Sequence, residues 1–139
     1  MTRTMRTQAG GATVELTLVA PLLLLLLLLV VALGRLAGTR ADVDGAARDA
    51  ARAASLSRSA SRAQAAAIEA AGTTLAEGGV SCRSLEVAVD TSGFRPGGWV
   101  AAEVTCNVGL GDLALLRLPG TRSVEARFVA AVDAYRGAA

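Results

Sequence analysis

Side chains able to do chemistry are few in this chain and stand far apart. It has no histidine, and every basic residue is an arginine. The usual imidazole bases and lysine nucleophiles are therefore missing. Glu86, Asp90, Glu103, Glu125 and Asp133 stand singly on what read as polar strand faces, where a solvated charge is the ordinary occupant. Two cysteines, Cys82 and Cys106, both lie in the C-terminal half. Beyond a membrane span, one such pair reads as a disulfide formed in an oxidising compartment, the alternative being two free buried thiols. Zinc would need further ligands, and histidine is unavailable. The residues point to no metal, no cofactor and no enzyme.

One carboxylate differs from the others. Glu15 directly precedes an apolar run, Leu16 to Leu33, that contains no charge and is leucine at every position from Leu22 to Leu29. As a helix this run extends about 27 Å, close to the about 30 Å of a bilayer core. A carboxylate at the head of such a helix costs a few kcal/mol near the bilayer centre and less near the interface. It either reaches lipid headgroups or is kept for a cation on a partner helix.

The elements that hold these residues follow from periodicity. Residues 1–10, MTRTMRTQAG, form a short basic leader with Arg3 and Arg6. Residues 11–34 form the apolar stem, with Pro21 inside it. Past Arg35 the text becomes alanine- and arginine-rich, and Leu36, Val43, Ala47, Ala50, Ala51 and Ala54 recur at helical spacing. Asp44 and Arg48 form a favourable i,i+4 pair, while Gly38 and Gly45 each weaken the helix by about 1 kcal/mol relative to alanine. After the serine-rich break at residues 55–62, Ser61 is expected to cap a second helix over Arg62–Ala76, stopped by Gly78-Gly79. Ile68, Ala71 and Leu75 would supply its thin apolar face.

The last third changes period. Leu85, Val87 and Val89 alternate with Glu86, Ala88 and Asp90, and Val100 to Val108 does the same. The glycine-rich loop TSGFRPGG between them makes an antiparallel hairpin. Matching the apolar faces suggests pairing Val87 with Ala102, which leaves Cys106 opposite Arg83 and Cys82 just outside the regular strand. Leu110 to Leu118 is an apolar link whose Gly-Asp-Leu start would open one helical turn. Pro119-Gly120 is a turn, and Val124 to Val132 is a third strand. Trp99, at a strand end, reads either as a cover for the edge of a small core or as a contact residue, and Phe94 is similarly placed.

Net charge is +2 and aromatics are 3% of residues, with no basic stripe, so nucleic-acid binding has no support. The N-terminal third has three readings. A secretory signal fits poorly, because no clean small-residue cleavage site follows and Glu15 precedes the run. An unprocessed single-span anchor fits the physical pattern. Its orientation is contested: Arg35, Arg40, Arg48 and Arg52 outnumber Arg3 and Arg6, which would put the C-terminal side in the cytoplasm, whereas the cysteines favour the outside. We follow the cysteines, because Asp42, Asp44 and Asp49 make that helix a solvated one of mixed sign.

The third reading comes from local spelling. Gly10-Gly11-Ala12-Thr13-Val14-Glu15 resembles a type IV prepilin junction, and GGATVELTLVAPLLLLLLLLVVALGR is similar to the N-terminal signature of TadE-like pseudopilins of tight-adherence pili. The following DGAARDAARAAS resembles the helix that continues that signature, so the likeness runs from residue 10 to about residue 54. It implies that a prepilin peptidase cuts after Gly10, with Gly11 as the new N-terminus and Glu15 as the fifth mature residue, available to a neighbouring subunit's amine. Pilins often carry a larger residue where this chain has Gly11. Cleavage between Gly11 and Ala12 is the alternative.

The expected architecture is α+β: a long membrane-spanning helix continuing into an extracytoplasmic helix, a second short helix, and a small antiparallel sheet of about three strands. The segments are a leader (1–10), a transmembrane helix (11–34), alanine-rich helices (35–78) and a small β domain with one disulfide (79–139). The resemblance implies a structural minor pilin or pseudopilin in a bacterial cytoplasmic membrane, single-pass, N-terminus cytoplasmic. Its partners would be the peptidase, other pilin subunits and the assembly platform, in pilus assembly, adhesion or secretion. The competing function is an anchored extracytoplasmic binding module that is never processed.

Overall fold

A computed structural model describes residues 9–111 and 119–135, with side chains from Leu16 onward. Helix α1 runs Ala9–Leu56 and α2 runs Ala60–Glu77. Strands β1 (Ser84–Asp90), β2 (Trp99–Gly109) and β3 (Thr121–Ala131) form one antiparallel sheet in the order β1-β2-β3. The α+β class, the two helices and the three strands match the expectation. Leu110 and Gly111 are helical, and the rest of the expected apolar link lies outside the described residues.

Helix α1 is unbroken from the stem into the domain, and neither Pro21 nor Gly38 and Gly45 interrupts it. Past Asp42 one stripe turns inward: Val43, Ala46, Ala47, Ala50, Ala51 and Ala54 are all at most 1% exposed. Helix α2 folds back antiparallel and lays Ala63, Ala67, Ala71 and Leu75 against this stripe. Spacing of four puts these four on one face. Ile68 is not part of that face: one residue past Ala67, it points about 100° further round the helix and is 48% exposed. Small side chains on both helices let the backbones approach closely, and the hydroxyl of Thr74 donates to Asp49 across the seam at 2.8 Å.

The cap of α2 is Ser59 rather than Ser61. Ser59 has extended backbone, φ −150° and ψ 156°, and its hydroxyl accepts from the Arg62 N–H. That geometry places an oxygen over the open first turn. The stop is the expected one: Gly78 N–H donates to Thr74, and Gly79 takes φ +71° so that Val80 N–H can return to Leu75.

The sheet lays one face on the helices. Val100, Ala102, Val104, Cys106 and Val108 from β2 and Val124 from β3 are buried there, and helices and sheet share one core. The hairpin register differs from the expected one by two residues. Val87 pairs with Val104 and Val89 with Ala102, so Cys106 faces Leu85. A slip of two keeps every side chain on its own face, so alternation cannot distinguish the two registers.

Candidate functional site

The N-terminal junction is built on the start of α1. Gly10 and Gly11 lie in its first turn and Glu15 about one turn further, immediately before the apolar run. Glycine in a helix costs about 1 kcal/mol relative to alanine, so a glycine pair makes this first turn easy to open. From Leu16 to Leu33 the large apolar side chains point outward all round the helix, none of them less than 40% exposed. A surface of that kind is incompatible with water and suits lipid or a bundle of like helices. It is the one helix among the described residues long and apolar enough to cross a membrane.

The domain begins within about two turns of the stem's end. Arg35, Gly38, Thr39 and Asp42 face the Gly78–Ser81 turn and Val108 across a cleft of about 260 Å³. Its lining, drawn from the end of the stem, the turn after α2 and β2, makes it a junction between stem and domain. Among the described residues no group of three or more acidic or cysteine side chains could hold a metal ion.

Cys82 and Cys106 form a disulfide, with Cα atoms 5.4 Å apart. Cys82 lies outside β1, as expected, and the chain reaches the bridge because Arg83 N–H bonds the Asn107 carbonyl at 2.7 Å. The bridge ties the approach to β1 into the C-terminal half of β2, where Cys106 is fully buried.

The single carboxylates Glu86, Asp90, Glu103, Glu125 and Asp133 are all exposed. Asp90 is the most constrained: the Ser92 N–H donates to it at 3.0 Å. That bond first, then the Ser92 hydroxyl and the Arg127 charge, hold its carboxyl below the usual aspartate range. Arg127 reaches Asp90 across β2 at 3.9 Å. The expected Asp44–Arg48 pair does not form among the described residues; Arg48 instead lies over the Phe128 ring, 5.7 Å from its centroid.

At the opposite end of the sheet Trp99 covers the hairpin loop. Its indole lies flat on Gly93, where an added Cβ would come within 2.6 Å of the ring, and Trp99 N–H bonds the Gly93 carbonyl. Trp99 is thus a cover that is 39% exposed, and Phe94 packs on the core.

Sequence reasoning did not find Gln64. Its side chain mimics a strand residue at the free margin of β1: Nε2 donates to the Val87 carbonyl at 2.7 Å and Oε1 accepts from Val89 N–H at 3.1 Å. The available signal was a lone amide beside Ala63 on an otherwise apolar helix face, which is weak.

Compared with known proteins, residues 10–52 match the family model described as TadE-like protein. The match bears out the resemblance and covers the glycine pair, Glu15, the stem and most of the alanine-rich half of α1. It ends before α2 and the sheet. No curated protein and no solved structure matches the chain.

Proposed function

We propose that this chain is a structural, non-enzymatic subunit of a tight-adherence pilus system, a TadE-like minor pilin or pseudopilin. A prepilin peptidase removes residues 1–10, the apolar part of α1 anchors the subunit in the cytoplasmic membrane, and the C-terminal domain lies outside. The observation that carries this reading is Glu15, placed fifth after Gly10 at the head of a continuous helix whose apolar surface is left uncovered by the described residues of the domain. It stands inside the segment that matches the family model.

Leucine against lipid gives no net drive for association, so helices in a membrane associate through packing and polar contacts. A carboxylate there is stabilised once a neighbour's cation meets it, and the new amine left at Gly11 is such a cation. Pairing Glu15 with a neighbour's amine would set the stagger between adjacent stems. The disulfide supports an outside location for the domain, since such bridges persist in oxidising compartments. It weighs against the arginine count on the C-terminal side of the stem.

The deciding measurement is the intact mass of the protein from membranes of cells with and without a prepilin peptidase, without reductant. Loss of residues 1–10 only when the peptidase is present supports the reading. Loss of one residue more moves the junction to Gly11–Ala12. A full-length mass in both strains leaves an unprocessed anchored binding module and withdraws the role of Glu15. Glu15→Ala should then be processed and inserted normally yet fail to assemble; normal assembly would remove the proposed pairing.

A further inference from the structure

The two margins of the sheet are finished differently. Leu110 N–H bonds the Gly120 carbonyl at 3.1 Å and Val132 N–H bonds the Gly98 carbonyl at 2.9 Å. These bonds lie on the β2–β3 ladder, so the even-numbered residues of β3 turn their backbone groups to β2 and the odd-numbered ones turn them away. The outward set is Ser123, Glu125, Arg127 and Val129. Among the described residues, no backbone group bonds them on that side. On the β1 margin Gln64 already occupies the corresponding groups of Val87 and Val89. An unpaired margin as long as β3 is a template for another strand.

Apolar side chains flank this margin on both faces. Phe128 points toward the helices yet is 41% exposed, while its ladder partner Ala102 is fully buried; Val129, on the outer face, is 53% exposed. The Arg48 guanidinium lies over Phe128. Between them the outer row alternates in charge, Glu125 then Arg127. The contact of Arg127 with Asp90 is long and its side chain is 56% exposed, so it remains available.

Copies of this chain in one membrane do not satisfy the margin through an antiparallel β3–β3 pair or through a β3–β1 pair. Helix α1 and β3 run in the same direction: Arg40 and Asp44 lie against Ser123–Glu125, and Arg48 against Phe128. Two β3 strands paired antiparallel about a two-fold axis would send their stems in opposite directions. Setting β3 of one copy beside β1 of the next keeps the stems aligned but meets Gln64. We propose that the free margin of β3, centred on Glu125–Val129, receives an extended strand from a different protein. That strand carries a cation opposite Glu125, an anion opposite Arg127 and apolar side chains over Phe128 and Val129. Backbone bonds supply affinity and the alternating side chains supply selectivity. The argument rests on membrane anchoring of the stem and is independent of processing at Gly10.

The test uses the full chain in detergent micelles and a short synthetic strand peptide. Read antiparallel to β3, the peptide places isoleucine, glutamate, lysine and threonine opposite Val129, Arg127, Glu125 and Ser123, with leucine over Phe128. Hydrogen exchange should slow by about tenfold or more at the amides of Glu125, Arg127 and Val129, with little change at even-numbered β3 amides. The doubly substituted protein Glu125→Arg, Arg127→Glu should prefer the charge-reversed peptide by about tenfold, a shift of about 1.4 kcal/mol. Val129→Lys, at an exposed position that leaves the core intact, should weaken binding. Equal binding of a peptide N-methylated at alternate residues would overturn the proposal, as would protection elsewhere in the domain. So would sedimentation showing that the chain self-associates through β3.

Discussion

Helix α1 is leucine from Leu22 to Leu29 and alanine-rich from Ala46 to Ala54, and it is the alanines that are buried. In the stem, large side chains cover the outside of a helix with nothing among the described residues packed upon them. In the domain, the smallest apolar side chain lies at a seam with α2 and the sheet. The difference reflects two solvents. Lipid accepts leucine all round the helix, so the stem needs no internal partner. In water each buried group must displace solvent, and with alanine little area is gained per residue. The domain compensates by close approach of backbones and by a covalent bridge.

Removing that bridge should give the largest contrast between the halves. Cys82→Ser with Cys106→Ser should destabilise the domain by about 2–4 kcal/mol, since the bridge constrains the unfolded chain. Urea unfolding followed by Trp99 fluorescence should move to lower concentration, while membrane retention of the stem stays unchanged. Enlarging the seam comes next. Ala50→Leu should cost about 1–3 kcal/mol by overpacking, whereas Leu26→Ala should leave the domain's unfolding midpoint unchanged. Equal effects from these two would dissolve the distinction between the halves.

Gln64→Leu tests the side-chain closure of the β1 margin. Losing both bonds leaves Val87 and Val89 unpaired and should cost about 1–3 kcal/mol. Exchange at the Val89 amide should accelerate most. The smallest effect is electrostatic. Because the Asp90 carboxyl is held low in the folded state, its stabilising contribution is present above the ordinary aspartate range and is lost as pH falls through the folded value. Asp90→Asn should slightly flatten the decline of the urea midpoint as pH falls through and below the ordinary aspartate range and leave its pH dependence near neutrality unchanged.

Much of this architecture is legible in the residues. An uncharged run of leucine calls for an apolar environment, alternation of valine with charge marks a half-buried strand, and Gly78-Gly79 ends a helix because Gly79 adopts positive φ. The proposed site at the N-terminus rests on a different kind of signal. The roles proposed for Gly10, Gly11 and Glu15 depend on spacing along the chain, which needs no tertiary contact.

Where local signals were equivalent, packing chose among them. Ser59 and Ser61 both suit a cap, and only the path of the turn from α1 put Ser59 over the open N–H groups. Ile68 is more hydrophobic than Ala67, yet the antiparallel seam selected the alanine face because small side chains let the two helices meet.

The sequence by itself determined the membrane-sized stem, the two helices, the faces of three strands and the position of Glu15, because each depends on neighbours within a turn or a pleat. Tertiary structure alone decided the two-residue shift of the hairpin, the closure of β1 by Gln64 and the margin of β3 that no described residue pairs. Those depend on which element arrives beside which. No periodicity along a single strand records its neighbour.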